Sequence, residues 1–181
     1  VVFVGDVVGT GSSRKSGVNS MLWHIGSDVA GAPNKRGGGV VIGGKIAPIY
    51  CDTLEDAGAM YLECDVSKLE TGQVIRILVN EGDIILAENG MVLAEFKLAH
   101  NTLLNAVQAG GRPNLVIGRK LAAQAQAALG ESQGDTVFQM PTIPEKPGHG
   151  MTLAQKLLAK AAGLSFVVPG QYIEPSTVSY T

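Results

Sequence analysis

Val1-Val-Phe-Val-Gly-Asp-Val-Val-Gly-Thr-Gly-Ser-Ser-Arg-Lys-Ser-Gly-Val-Asn-Ser-Met-Leu-Trp-His-Ile25 reads as strand, loop and helix in that order. The apolar run Val1–Val4, closed by Gly5-Asp6, predicts a short buried strand. Gly9 to Arg14 reads as a glycine- and serine-rich loop. Val18, Met21, Leu22 and Ile25 then recur at helical spacing, and Gly26 supplies a stop. A loop of this kind aims unpaired backbone N–H groups at whatever lies in front of the helix, where the helix dipole adds partial positive charge. Ser12 and Ser13 add hydroxyls, and Arg14 adds a planar fork suited to a carboxylate or phosphate. The residues by themselves therefore describe an anion site. The blander alternative is a serine that merely caps the helix beside a solvated arginine.

Gly37–Gly39 and Gly43-Gly44 bracket one short strand at Val40–Ile42. Thr53 is expected to cap a short helix through Ala57, with Asp56 in the capping-box position. Strands are expected near 61–66, 73–79, 83–87 and 91–98. Asn89-Gly90 predicts a type I′ hairpin between the last two. Asn101 or Thr102 can cap a helix that ends at Gly110-Gly111. A second helix is expected over about 116–129, with Leu121, Ala125 and Ala128 on one face. Glu131–Gly150 is polar and rich in Pro and Gly and reads as a linker. Thr152-Leu-Ala-Gln155 is a capping box that opens a helix to about Ala162, with Leu153 and Leu157 expected in its core. The predicted organisation is a domain over 1–130, a linker over 131–150, and a helix with an aperiodic tail over 151–181. The fold class is α/β, with a mixed β-sheet flanked by helices.

Composition narrows the function. In 181 residues, 45% are hydrophobic and 17% charged, which describes a globular chain with a sizeable core. A net charge of −2 disfavours a dedicated nucleic-acid binder. Cys51 and Cys64 make neither a disulfide framework nor a zinc pattern, so the expected compartment is cytoplasmic and no metal ligand is assigned within the chain. No apolar run has the length of a membrane span. The chain begins inside an apolar run without an initiator Met, as a fragment of a longer polypeptide would.

Two nucleotide or hydrolase patterns fail on single residues. The P-loop spacing fits Gly9, Lys15 and Ser16, but Arg14 stands where a second Gly must let the backbone curl around phosphate. A degenerate phosphate- or nucleotide-binding module is thus the rival reading. The Gly-x-Ser-x-Gly elbow would need Gly where Ser13 or Arg14 stands.

Val4–Ser16 resembles the swivel domain of the B-type aconitases (aconitate hydratase 2, also acting as 2-methylisocitrate dehydratase). So do Pro33–Gly39, Ile42–Ile49, Thr53–Ala59, Gly110–Arg112 and Leu153–Lys156, in the family's order. The resemblance implies a hydro-lyase of the tricarboxylic acid cycle that interconverts citrate and isocitrate through cis-aconitate. It implies Ser12 as the catalytic base in alkoxide form, with Ser12, Ser13 and Arg14 holding substrate oxygens. It further implies a [4Fe–4S] cluster whose cysteine ligands lie in cluster-binding domains beyond Thr181, so that the fragment alone is inactive. The implied substrates are tricarboxylates: citrate, isocitrate and 2-methylisocitrate. RNA binding by the cluster-free protein is a further family-level expectation. The sequence departs from the family pattern at Cys51, where an aromatic residue is usual, and in the tail, where Ile173 replaces a Cys and Ser176 a Lys. His24, His100 and His149 have no metal-ligand spacing. Asn34-Lys35-Arg36 reads as a solvated turn, and Lys45, Arg112 and Asp6 as candidate supporting groups.

Overall fold

The computed structural model describes residues 1–100, 102–130, 138, 144–146, 148–169, 171, 173 and 175–176. Packing divides the chain into two units, residues 1–138 and 139–181.

The first unit is built on two consecutive strand–helix–strand crossovers. β1 (Val2–Val8) leads through the serine loop into α1 (Arg14–Ile25). A small hairpin, β2 (Ser27–Asp28) with β3 (Arg36–Gly37), follows, and then β4 (Val40–Ile46). Helix α2 (Pro48–Asp56) returns the chain to β5 (Met60–Glu63). β1, β4 and β5 form a parallel sheet in the order β1-β4-β5, with Val2 opposite Val40 and Val40 opposite Met60. The chain then makes an antiparallel meander of β6 (Ile75–Leu78), β7 (Asp83–Leu86) and β8 (Val92–Glu95). Two helices close the unit, α3 (Leu103–Ala109) and α4 (Arg112–Leu129). Parallel and antiparallel pairing both occur in this α/β fold, but in separate sheets.

Alternation along β4 explains the layering, since successive side chains of a strand face opposite ways. Val41 joins Val18, Leu22, Tyr50 and Leu54 in a core between the parallel sheet and helices α1 and α2. Ile42 faces the other way, into a second core with Leu62, Ile84, Ala94 and Phe96 from the meander. The central strand is thus covered on both faces.

Several local expectations give way to tertiary context. β1 runs on through Gly5-Asp6 to Val8, and it is an edge strand rather than a buried one: Phe3, Val4 and Val7 are exposed. β4 likewise continues past Ile42 through both glycines to Ile46. Helix α2 begins at Pro48, not after Thr53. Proline is well suited to a first helical position because its missing N–H would be unpaired there anyway. Thr53 lies inside the helix, where its hydroxyl donates back to the Ile49 carbonyl at 2.8 Å. The Asn89-Gly90 connection is not a type I′ turn, because Gly90 has a φ of 75° while Asn89 lies outside the positive-φ region. The loop is longer instead: Leu86 N–H donates to Met91 O, and Asn89 Oδ1 accepts from Met91 N–H at 3.0 Å. Asn101 lies outside the described residues, and Thr102 at the start of α3 makes no side-chain cap. Helix α4 starts at Arg112, four residues earlier than expected. Its buried anchor is Leu115, whereas Leu121 is 59% exposed.

Two stretches more than fifty residues apart in sequence meet at the far end of α2. Gly111 has a φ of 123°, and a Cβ there would lie 2.3 Å from the Asp56 carbonyl oxygen, so only glycine fits. Arg112 then pairs with Asp56 at 2.7 Å and donates to the Asp52 carbonyl at 3.2 Å. Arg112 is therefore a tie between α4 and α2. Half-exposed pairs of this kind contribute about 1 kcal/mol or less, so the glycine contact is the stricter constraint.

In the second unit, Thr152 opens α5 (Leu153–Ala161) with both bonds of a capping box in place. Ala159 is its buried residue, whereas Leu153 and Leu157, expected in the core, are 73% and 60% exposed. Most of the 131–150 stretch lies outside the described residues.

Candidate functional site

The serine loop sits at the carboxyl ends of the parallel strands, the edge where open parallel sheets bind ligands. β1 ends at Val8 and β4 ends at Ile46, side by side, and Ala47 N–H donates to the Val8 carbonyl at 2.9 Å. β1 leads through the loop of residues 9–13 into α1 and β4 leads through Ala47 into α2, so the N-termini of both helices open at this edge.

Ser12 and Ser13 are exposed and Arg14 is half-buried. With Lys15, Ser16 and Ile49 they line one shallow depression of about 200 Å³. The three residues singled out by sequence are thus brought together, and a lysine, a third hydroxyl and one apolar side chain from α2 join them. Ser13 occupies the N-cap of α1, yet its side chain makes no capping hydrogen bond, and no acidic residue lies in the first turn. The Ser13 carbonyl does accept from Gly17 N–H at 2.9 Å, so the helix itself is properly closed. What remains open are the first N–H groups, which the helix cannot satisfy internally. Together with Arg14 and Lys15 they create a region of positive potential with no carboxylate in the first turn.

The loop is held from behind by Tyr50, a residue that the sequence reading passed over. Gly9 has a φ of 79°, and a Cβ there would lie 2.5 Å from Tyr50 Cγ. A Cβ on Gly17, in α1, would meet Tyr50 Cε2 at 3.5 Å. The Tyr50 hydroxyl reaches Met21 Sδ at 3.6 Å. The available signal was Ala47-Pro48: a proline at a helix start would have placed Ile49 and Tyr50 in the first turn of α2, beside the loop.

Other candidates lie elsewhere. Lys45 and Asp6 are exposed residues of β4 and β1, and His24 is an exposed residue late in α1. Arg36 is engaged rather than simply solvated: it pairs with Asp28 at 2.9 Å, donates to the Trp23 carbonyl and stacks over the Trp23 ring. His100, which lacks metal-ligand spacing, has Nε2 3.3 Å from Glu55 Oε2 and Nδ1 2.7 Å from Thr102 Oγ1. Glu55 is only 2% exposed. A tautomer in which Nε2–H donates to the carboxylate and Nδ1 accepts from the threonine hydroxyl fits both contacts, while the other Glu55 oxygen, Oε1, is buried without a hydrogen-bond partner among the described residues.

Cys51 and Cys64 do not converge, for they pack against different cores. Burial first, then the nearby Glu63 and Asp52 charges, push the Cys51 thiol up to about 11. Burial and Asp65 raise that of Cys64. Both environments disfavour the thiolate that a metal ligand requires. Among the described residues, no group of three or more His, Cys, Asp or Glu is arranged to hold a metal ion. No helix among them is long and apolar enough to cross a membrane.

Comparison with known proteins bears on this geometry. The family model described as the aconitate hydratase 2 N-terminus matches residues 1–151. Aconitate hydratase B of Synechocystis is 51% identical over 175 residues, 97% of this chain and 20% of that protein. The Escherichia coli aconitate hydratase B is 48% identical over 179 residues, 99% of this chain and 21% of its own length. The chain thus spans about a fifth of the curated relatives it matches. Among solved structures, 3-isopropylmalate dehydratase of Methanocaldococcus jannaschii superposes with a TM-score of 0.52 at 20% identity, covering 69% of this chain and 68% of that one. At that identity the likeness concerns the fold.

Proposed function

Because this chain belongs to the aconitate hydratase 2 N-terminus family, we propose that it is the swivel domain of an aconitate hydratase and supplies the base and carboxylate-binding groups for citrate–isocitrate interconversion. The observation that carries the reading is the open N-terminus of α1, where Ser12, Ser13 and Arg14 share one depression and no side chain caps the helix. A capping serine would be spent on its own helix, whereas these hydroxyls are free to meet a ligand.

The roles follow from the chemistry of each group. A tricarboxylate brings several negative charges, and Arg14 offers a two-pronged contact to one carboxylate. The Ser13 hydroxyl donates to another substrate oxygen. Ser12 takes the proton from the carbon next to a carboxylate and returns it in the reverse direction. A serine alkoxide is a strong base that needs its anion stabilised, and fixed N–H dipoles and a nearby cation lower that cost. The substrate class is citrate, isocitrate and, by family, 2-methylisocitrate, and the compartment is the cytoplasm.

In the family a [4Fe–4S] cluster supplies Lewis-acid chemistry at the substrate hydroxyl. The residues described here do not fit such a cluster, with two separated cysteines held as thiols and no third ligand beside them. We assign the ligands to other parts of the longer polypeptide. We likewise take 1–130 as the swivel domain, 131–150 as a linker and 151–181 as the run into the next domain.

Steady-state kinetics of Ser12→Ala in the full-length polypeptide, with cis-aconitate as substrate, test the reading. Loss of a general base lowers kcat by about 10²–10⁴ with KM little changed. Turnover within a few-fold of the parent enzyme would overturn the assignment.

A further inference from the structure

We propose that Tyr50 is a positioning residue for the Gly-Ser-Ser-Arg loop, its ring clamping the chain on both sides of the loop so that Ser12 and Arg14 are held at the working distance from the substrate. The proposal rests on the reading of Ser12 as base, and it deepens that reading.

Residues 10–13 and 15–16 are exposed, and the helix cap in their midst lacks a side-chain bond. The aim of the Ser12 hydroxyl is therefore inherited from the two ends of the loop. Tyr50 touches both. On the entry side, the Gly9 backbone lies so close to the tyrosine ring that a methyl group there would sit 2.5 Å from Cγ and 2.6 Å from Cδ2. On the exit side, Gly17 and Met21 pack on the same side chain, the first near Cε2 and the second at the hydroxyl. Tyr50 is itself 6% exposed and belongs to the core of Val8, Val18, Met21 and Leu54. Its backbone is fixed in the first turn of α2, where its N–H donates to the Ala47 carbonyl at 2.8 Å. A rigid aromatic plate thus sits between Gly9, the first residue of the loop, and the first turns after it. Removing the plate leaves a space that Gly9 and α1 can relax into, moving the loop while the strand and helix persist. Displacements of about 1 Å at a reacting group cost about 10²-fold in rate.

The test uses the full-length polypeptide with Tyr50→Ala, Tyr50→Leu and Tyr50→Phe, each alone and combined with Ser12→Ala. Tyr50→Ala is expected to lower kcat by about 10²-fold, more than it raises KM, and to speed amide exchange over residues 10–16. Tyr50→Phe keeps the ring and should restore kcat to within about twofold, since it gives up only a weak contact to sulfur. In the Ser12→Ala background the loss from Tyr50→Ala should shrink severalfold, because the group being aimed is gone. A residue that merely fills the core would lower the melting temperature, leave kcat per folded molecule unchanged and cost the same in both backgrounds, and that pattern overturns the proposal. If Tyr50→Ala does not fold, Tyr50→Leu is read in the same way. Should Ser12→Ala prove nearly fully active, the base assignment fails, yet exchange over residues 10–16 still decides whether Tyr50 holds the loop.

Discussion

Helix α5 opens at Thr152, whose hydroxyl accepts from Gln155 N–H at 3.3 Å while the Gln155 side chain accepts from Thr152 N–H at 2.8 Å. Helix α1 opens at Ser13, whose side chain makes no bond to its own helix. Both starts carry a hydroxyl residue, and both present the same unpaired N–H groups. At α5 the capping box pairs two donors, the Thr152 and Gln155 N–H groups, within the chain itself, and the Thr152 hydroxyl is used in doing so. At α1 the donors and hydroxyls stay open, with Arg14 and Lys15 beside them. The difference separates a residue used for stability from one available for chemistry. It also shows why a hydroxyl at a helix start says little until its partner is known.

Mutations at the two starts should therefore have opposite signatures. The largest separation is expected for Ser12→Ala, with kcat down by about 10²–10⁴ and melting temperature almost unchanged. A melting loss without a rate loss would turn α1 into a second α5. Arg14→Lys comes next: the charge survives but the fork does not, so KM for cis-aconitate should rise about tenfold or more while kcat also falls. Unchanged KM would remove Arg14 from the substrate. Thr152→Ala should cost about 1 kcal/mol of α5 stability, visible as faster amide exchange in that helix, with kinetics unaltered. The smallest effect is stability in Ser13→Ala. A cap that makes no bond has none to lose, so its melting curve should stay within about 0.5 kcal/mol of the parent, although turnover drops. A full cap's worth of destabilisation there would mean that Ser13 caps α1 in solution, and the comparison would collapse.

The α5 cap was legible because a capping box is closed within four consecutive residues, and the same locality made α1 and its loop readable from Gly9 through Ile25. Where the sequence misled, a distant partner had decided. The apolar run of β1 gave no sign that it would be an edge strand, because exposure depends on which strand lies beside it. Thr53 had every local mark of a cap, yet Pro48 starts the helix sooner and leaves that hydroxyl to bond back along it. The partner of His100, Glu55, is 45 residues away and leaves no local mark.

By itself the sequence determined the strand–loop–helix order, the chemical identity of Ser12, Ser13 and Arg14, and the family that those residues and their flanking blocks resemble. Helical periodicity, caps and glycine turns act over a few residues and are written in consecutive positions. Only the tertiary structure decided that the Ser13 side chain is left unbonded, that Ile49 and Lys15 share the depression, and that Tyr50 backs the loop. Those facts depend on two strand ends lying side by side, joined by the Ala47–Val8 hydrogen bond, which brings together residues nearly forty positions apart. Such long-range juxtaposition is fixed by burial of the common core between the sheet and α1 and α2, an area effect that no short window of sequence contains.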